Sequence, residues 1–382
     1  MKKYYAFFTF LTIFTAFIVF SCSDSENEMY VPVAPSPTSP ITVDLTQVPY
    51  EKLSDYKFFE GEMKDQKPAL GLLPFEPAST LFSDYARKKR FVWMPKGTKA
   101  TFNSDIKVLE LPVGAVLVKT FYYDHVQNVS PVGATRIVET RLMIRKATGW
   151  IFANYVWNED QTEAIYDLAG SNTHIEWKEN NTIAKSADYR IPAEDQCIVC
   201  HKRQIQVDDH IEYTFIPIGI KPQNLNFAYN YGTGSKNQLA KWVEEGYLDS
   251  NFTMPTEEHS TIDYRDDSKS LDLRVRSYVD ANCSHCHQDE RHCDYRPMRF
   301  AFNETANNPA HMGVCVETED MQGFEPALAR IVTPTNKFKS MLYHRLNTVN
   351  PAYRMPLQGR TIIHEEGVAL IELWINSLEP CP

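Results

Sequence analysis

The sequence predicts an α+β chain of several domains: an N-terminal antiparallel β sandwich or barrel-like domain, then two mostly α-helical segments. Two observations predict it. Between about Phe75 and Ala164, apolar and polar residues alternate in short runs separated by turn residues, the period-two pattern of strands with one wet face. Beyond about Ile183 that pattern gives way to apolar residues three and four apart, the period of a helix. At 382 residues, with 43% apolar and 12% aromatic composition, the chain is long enough for two or three cores.

Residues 1–21 stand apart. Lys2 and Lys3 precede the apolar run YYAFFTFLTIFTAFIVF, which ends at Ser21-Cys22. A short basic head, an apolar middle and a small residue before the cut describe a secretory signal peptide. The polar SDSENE that follows is no stop-transfer flank. VFSC resembles the lipobox of bacterial lipoproteins, which implies lipidation of Cys22 and attachment to a membrane through that anchor. Residues 22–44 are polar and proline-rich without periodicity and read as a tether. The whole chain carries a formal charge of −10, and removing residues 1–21, which hold two lysines and no acid, leaves −12. Nucleic acid is therefore not an expected partner.

A β-rich domain is expected over 45–185. Val108–Tyr123 (VLELPVGAVLVKTFYY) reads as strand around a Pro-Val-Gly turn. Arg136–Trp157 sets Ile137, Glu139, Arg141, Met143 and Arg145 against Val138, Thr140, Leu142 and Ile144, and turns at Thr148-Gly149. Tyr122, Tyr123, Trp150, Tyr155 and Trp157 are expected to fill its core.

Two pentapeptides follow, Cys197-Ile-Val-Cys200-His201 and Cys283-Ser-His-Cys286-His287. In C-x-x-C-H, two thiols three residues apart reach both vinyl groups of one haem, and the next residue supplies the proximal imidazole. Zinc ribbons pair their C-x-x-C units within a few tens of residues, whereas these lie 86 apart. A thioredoxin-like motif needs a βαβ surrounding that the sequence lacks. Two covalently bound haem c groups are the expected cofactors, in a first cytochrome c-like segment over 186–260 and a second over 261–382.

Leu271, Val275, Tyr278, Val279 and Asn282 make one face of a helix ending at Cys283. Val368, Ile371, Trp374, Ile375 and Leu378 make another at the C-terminus. Between them, Met355-Pro356 lies in a loop 68 residues beyond His287, which makes Met355 the expected distal ligand of the second haem. For the first haem no amphipathic helix precedes Cys197, and one is expected over Lys236–Leu248. Met254 is the distal candidate there, with His210 and His174 as rivals and an open site as the further option.

Carried by TLFSDYARKKRFVWMPKGTKA, PVGAVLVKTFYY, RIVETRLMIR, GWIFANYVWNEDQTEA, QCIVCH, PIGIKPQNLN, RVRSYVDANCSHCH and IIHEEGVALIELWI, the chain resembles a family of bacterial dihaem c-type cytochromes with an N-terminal β domain. The resemblance implies export and electron transfer with unidentified redox partner proteins, without naming a substrate. RQIQVDDHIEYTF, after His201, departs from the family pattern. Of the remaining cysteines, Cys293 and Cys315, with 21 residues between them within one segment, are the favoured disulfide, while Cys381 could instead close the C-terminal helix onto that loop. The function expected is one-electron transfer on the outer side of a bacterial membrane. The alternative is a dihaem peroxidase or small-substrate oxidase with an open iron at the first haem, and a partner- or glycan-binding β domain does not explain two haems.

Overall fold

Six strands rich in β-branched and aromatic residues build the central sheet: β1 (Leu73–Pro74), β2 (Arg87–Trp93), β3 (Val116–Tyr123), β4 (Arg136–Lys146), β5 (Gly149–Trp157) and β6 (Ala164–Tyr166). They form an antiparallel meander in sequence order. The computed structural model describes residues 38–321, 323–324 and 326–382. The expected signal peptide 1–21, the expected lipidation site Cys22 and the expected tether up to residue 37 lie outside the described residues. Folded structure begins earlier than the expected boundary at 45, because Ile41 is already buried in a core.

β4 and β5 join through Ala147-Thr148, with Lys146 opposite Gly149, so the turn falls one residue before the expected position. Gly149 takes a φ of 134°, a conformation that suits a residue without Cβ. Register sorts the side chains into rows. Phe91, Val118, Leu142 and Ala153 lie in one row across β2–β5, on the face that packs against Leu53, Tyr56 and Phe58 from the N-terminal coil. Val92, Leu117, Met143 and Phe152 form the row on the opposite face. They pack with Ile220, Leu239 and Trp242 from beyond the sheet. Neither face is left wet. The charged alternation of β4 faces an interior, and Glu139 is completely buried. Tyr155 and Trp157 lie in the core against the N-terminal coil, where Tyr122 also packs, Trp150 lies in the core on the opposite face and Tyr123 in a third. A second hairpin, β7 (Ser171–Glu179) with β8 (Ile183–Ile191), buries Ile175, Trp177 and Tyr189 against Phe121, Tyr123 and Val138.

The expectation of two mostly α-helical segments after the β domain is overturned. More residues are in strands than in helices. In 186–260 the helix Glu194–His201 runs directly into a third hairpin, β9 (Lys202–Val207) with β10 (His210–Phe215). The expected helix over Lys236–Leu248 shortens to Gln238–Glu244, stopped by Gly246, whose φ is 75°. In 261–382 two helices form where the apolar stripes place them, Leu271–Asn282 and Glu365–Ser377. Ser270 caps the first through Leu273 N. Val275, Tyr278 and Val279 meet Val368, Ile371, Trp374 and Ile375 in one core. A Cβ on Gly367 would stand 2.2 Å from Tyr278 Oη, so glycine permits this close approach. Between those helices, the described residues of 283–340 are almost wholly in turns, loops and isolated bridges. Gly, Pro, Asn and Asp recur along this stretch, and such residues favour turns over helix.

The disulfide also differs. Cys315 pairs with Cys381, 66 residues on, with Cα atoms 5.8 Å apart, and Cys293 is a buried free thiol. Cys293 donates its backbone N–H to Cys286 O at 3.0 Å, which ties it to the second C-x-x-C-H turn, out of the expected pairing. Among the described residues no helix is long and apolar enough to cross a membrane.

Candidate functional site

Each C-x-x-C-H segment opens onto its own cavity. Cys197, Cys200 and His201 ride on the helix Glu194–His201, whose start is held by Gln196 Oε1 accepting from Ala193 N at 3.0 Å. His201 Nδ1 lies 2.8 Å from Ile216 O. A carbonyl only accepts, so Nδ1 carries the proton and Nε2 keeps its lone pair. Ile216 N returns a bond to His201 O at 3.0 Å. The imidazole packs against Phe152 with ring centroids 5.3 Å apart. Burial holds its pKa down at about 4, so it is neutral near pH 7.

The second segment begins where the helix Leu271–Asn282 ends. Cys286 N and His287 N both donate to Cys283 O, at 3.1 and 3.0 Å, making a tight turn. His287 is buried edge-on to Phe300, with centroids 5.6 Å apart, and its Nδ1 has no partner. Burial likewise lowers its pKa to about 4.

These two segments, 86 residues apart in sequence, meet. The ligand atoms of Cys200, His285 and Cys286 all lie within 4.8 Å of one another, and Cys286 Sγ donates to Val199 O at 3.8 Å. The β9–β10 hairpin, the stretch that departs from the expected family pattern, clamps them. Arg203 Nε donates to Glu290 Oε2 at 2.6 Å and Gln204 N to Glu290 O at 2.8 Å. The hydrogen bond from Cys286 and the nearby His285 hold the Cys200 thiol below its ordinary pKa, while sharing with Cys200 pushes Cys286 up. Burial raises Cys197 to about 11 and Cys283 to about 12. Those two are thiols, not thiolates, at neutral pH.

Cys283, Cys286 and His287 line the second segment's cavity, which holds about 1370 Å³ of empty space. Met355 lines it too, with Met298 and Met341. The Met355 backbone is fixed on both sides: its N–H donates to Arg345 O at 2.9 Å and its carbonyl accepts from Arg360 Nε at 2.9 Å. Cys197, Cys200 and His201 line the first cavity, about 1740 Å³. Both figures include open solvent; the enclosed space is about 230 Å³ in the second cavity and about 200 Å³ in the first. Cys200 and His285 belong to both walls.

The first cavity does not receive its expected distal ligand. Met254 is 39% exposed and lines neither cavity described above. His210 is exposed beside Glu212, and His174 is exposed between Asp188 and Glu176. The wall facing Cys197 and His201 is instead the central sheet, with Lys119, Arg141, Met143, Phe152 and Asn154. Sequence reasoning missed this wall because strict alternation in β4 reads as solvent exposure. The same alternation held the signal, since it puts Arg141 and Met143 on one face.

Haem fits these residues. Each C-x-x-C-H segment brings two thiols and one neutral imidazole to its cavity, that of the first with its Nε2 free, while His287 Nδ1 has no partner in the protein. A divalent metal on Cys200, His285 and Cys286 is the competing occupant. No protein-family model, curated protein or solved structure matches the chain.

Proposed function

We propose that the protein is a dihaem c-type cytochrome that passes electrons singly between redox partner proteins. It would work on the outer side of a bacterial membrane, anchored through a lipid on Cys22. The observation that supports this reading most is the meeting of the two C-x-x-C-H segments, each facing its own cavity while sharing Cys200 and His285. Cys197 and Cys200 would hold one haem and Cys283 and Cys286 the other. Haem bound there supplies one-electron redox chemistry, tuned by axial ligand and burial. The chain's part is positional: His201 and His287 present neutral imidazoles, Met355 is held at the second cavity, and buried walls exclude water.

A second reading, a dihaem oxidoreductase with an open first site, is favoured by one observation: Met254, His210 and His174 all lie away from the first cavity. Both readings are tested on protein produced with a haem-attachment system. Two haems retained by the denatured chain, with both sites refusing carbon monoxide and cyanide, mean electron transfer. Ligand binding at one site, abolished by Cys197→Ala/Cys200→Ala, means the oxidoreductase. A chain that carries zinc and no covalent haem would sink both.

A further inference from the structure

We propose that the first cavity binds a carboxylate-bearing anion against a polar row on the central sheet: Arg90, Lys119, Arg141 and Asn154. These four stand side by side on β2, β3, β4 and β5, each the register partner of the next, and all line the cavity. Neighbouring strands are about 4.8 Å apart, so the row spreads donors at a spacing that suits the oxygens of one or two carboxylates.

Two features of the row have no internal explanation. Asn154 is 2% exposed, yet both its Nδ2 and Oδ1 lack any hydrogen-bond partner. A buried amide left wholly unpaired is costly and is expected to meet a ligand or solvent. The second feature is charge. Arg90 pairs with Glu76 at 3.2 Å and Arg141 pairs with Glu139. Among the described residues nothing pairs with the Lys119 ammonium, whose recorded neighbour is the Phe121 ring at 4.8 Å.

The rest of the cavity repeats the imbalance. Its one lining carboxylate, Asp280, is taken by Lys221 at 2.9 Å. Arg190 and Arg291 also line it and have only neutral partners, Gln196 Oε1 at 3.3 Å and Lys202 O at 3.4 Å. Lys119, Arg190 and Arg291 are therefore three basic side chains without a carboxylate partner, in a chain whose formal charge is −10. Burial and the neighbouring Arg90, Arg141 and Lys88 push the Lys119 pKa well below the usual lysine range, so a bound anion would be what holds it charged. Low-dielectric walls concentrate such a field and draw in an anion. Arg and Lys beside an amide are donors matched to carboxylate oxygens.

The carboxylates have two sources: the propionates of a haem attached at Cys197 and Cys200, or a free organic anion. Only this choice of source rests on the proposed function. The site itself stands on the row. Calorimetric titration with malonate, with dimethyl malonate as the uncharged control, separates them in the full chain and in the Cys197→Ala/Cys200→Ala variant. Malonate binding to the wild type assigns the row to a free anion. Binding only to the double variant assigns it to the propionates. Either way, Lys119→Met weakens malonate by about tenfold or more and Lys119→Arg retains it.

Asn154→Leu supplies the readout that a merely structural role would not give. The variant melts higher than the parent, because an unpaired buried amide is gone, and yet binds malonate more weakly. Malonate binding to neither chain, equal binding of the diester, or indifference to both substitutions overturns the proposal. Absence of covalent haem with malonate binding intact would instead sink the proposed function and leave the anion site standing.

Discussion

His364 shows at the scale of one residue how this interior treats a titratable group. Its ring stacks on Phe82 with centroids 4.2 Å apart, and its two nitrogens meet Tyr264 Oη and Tyr278 Oη, each at 3.1 Å. Burial outweighs the nearby Glu366 and lowers the pKa from 6.5 to about 4. Above pH 6.5 the imidazole is neutral whether the chain is folded or not. As pH falls from 6.5 toward 4 the unfolded chain takes up a proton that the folded one refuses. His364 then costs on the order of 3 kcal/mol of stability. Urea midpoints of the wild type and His364→Gln should accordingly converge over that window, and a difference independent of pH would refute the assignment. The two imidazoles proposed as proximal ligands differ in their hydrogen bonding. His201 Nδ1 donates to a carbonyl and His287 Nδ1 does not. Such a donated bond raises ligand basicity and lowers the potential, whereas a thioether opposite raises it. A spectroscopic redox titration should resolve two couples, the higher one lost or shifted in Met355→His.

At the scale of elements, the loop that carries Met355 is held by a single side chain. Arg360 is 3% exposed. It donates to Met355 O, Arg345 O and Thr348 O, each at 2.9 Å, and to Ile362 O at 3.1 Å. Asp84, from the loop before β2, accepts from Thr361 N at 2.7 Å and Ile362 N at 3.1 Å, pinning the far end. Arg360→Met strands four carbonyls and should cost about 3 kcal/mol in urea unfolding. It should also weaken the optical band of methionine-bound iron, and Arg360→Lys should not repair it, because an ammonium lacks the fork. An unchanged band would show that the loop keeps Met355 in place without Arg360. The helices Leu271–Asn282 and Glu365–Ser377 were legible because their apolar residues recur with a helical period and face each other. β4 was legible as a strand but not in its surroundings: Glu139, Arg141 and Met143 alternate as exposed residues do, and only the tertiary fold reveals that an acid and a base fill that row. Hairpin β9–β10 went unread although Ile205, Val207, Ile211, Tyr213 and Phe215 alternate with polar residues around Asp208-Asp209, because each run is short and its apolar residues are few.

For the molecule as a whole, one sheet lies between an N-terminal coil layer and the first C-x-x-C-H segment, and a helical core closes the C-terminal end. The two C-x-x-C-H units could be recognised from spacing alone, whereas the Cys315–Cys381 bond could not, since separation in sequence does not say which loop the chain end reaches. That bond closes a 66-residue span, for which loop entropy assigns about 4 kcal/mol. Cys381→Ala should lower the unfolding free energy by an amount of that order, read from urea titrations with and without reductant. Equal stability in the variant would show that the C-terminal helix is held by its apolar contacts alone.

The clamp between the β9–β10 hairpin and Glu290 also has a consequence in time. A chain emerging from its N-terminus first presents Cys197 and Cys200 long before Glu290 arrives to close the clamp on Arg203 and Gln204. Once it closes, Cys197 and Cys283 are half-buried thiols with raised pKa values, and so poor nucleophiles at neutral pH. An enzyme that joins haem to these sulfurs would therefore meet Cys197 and Cys200 more freely on the unfinished chain than on the finished fold.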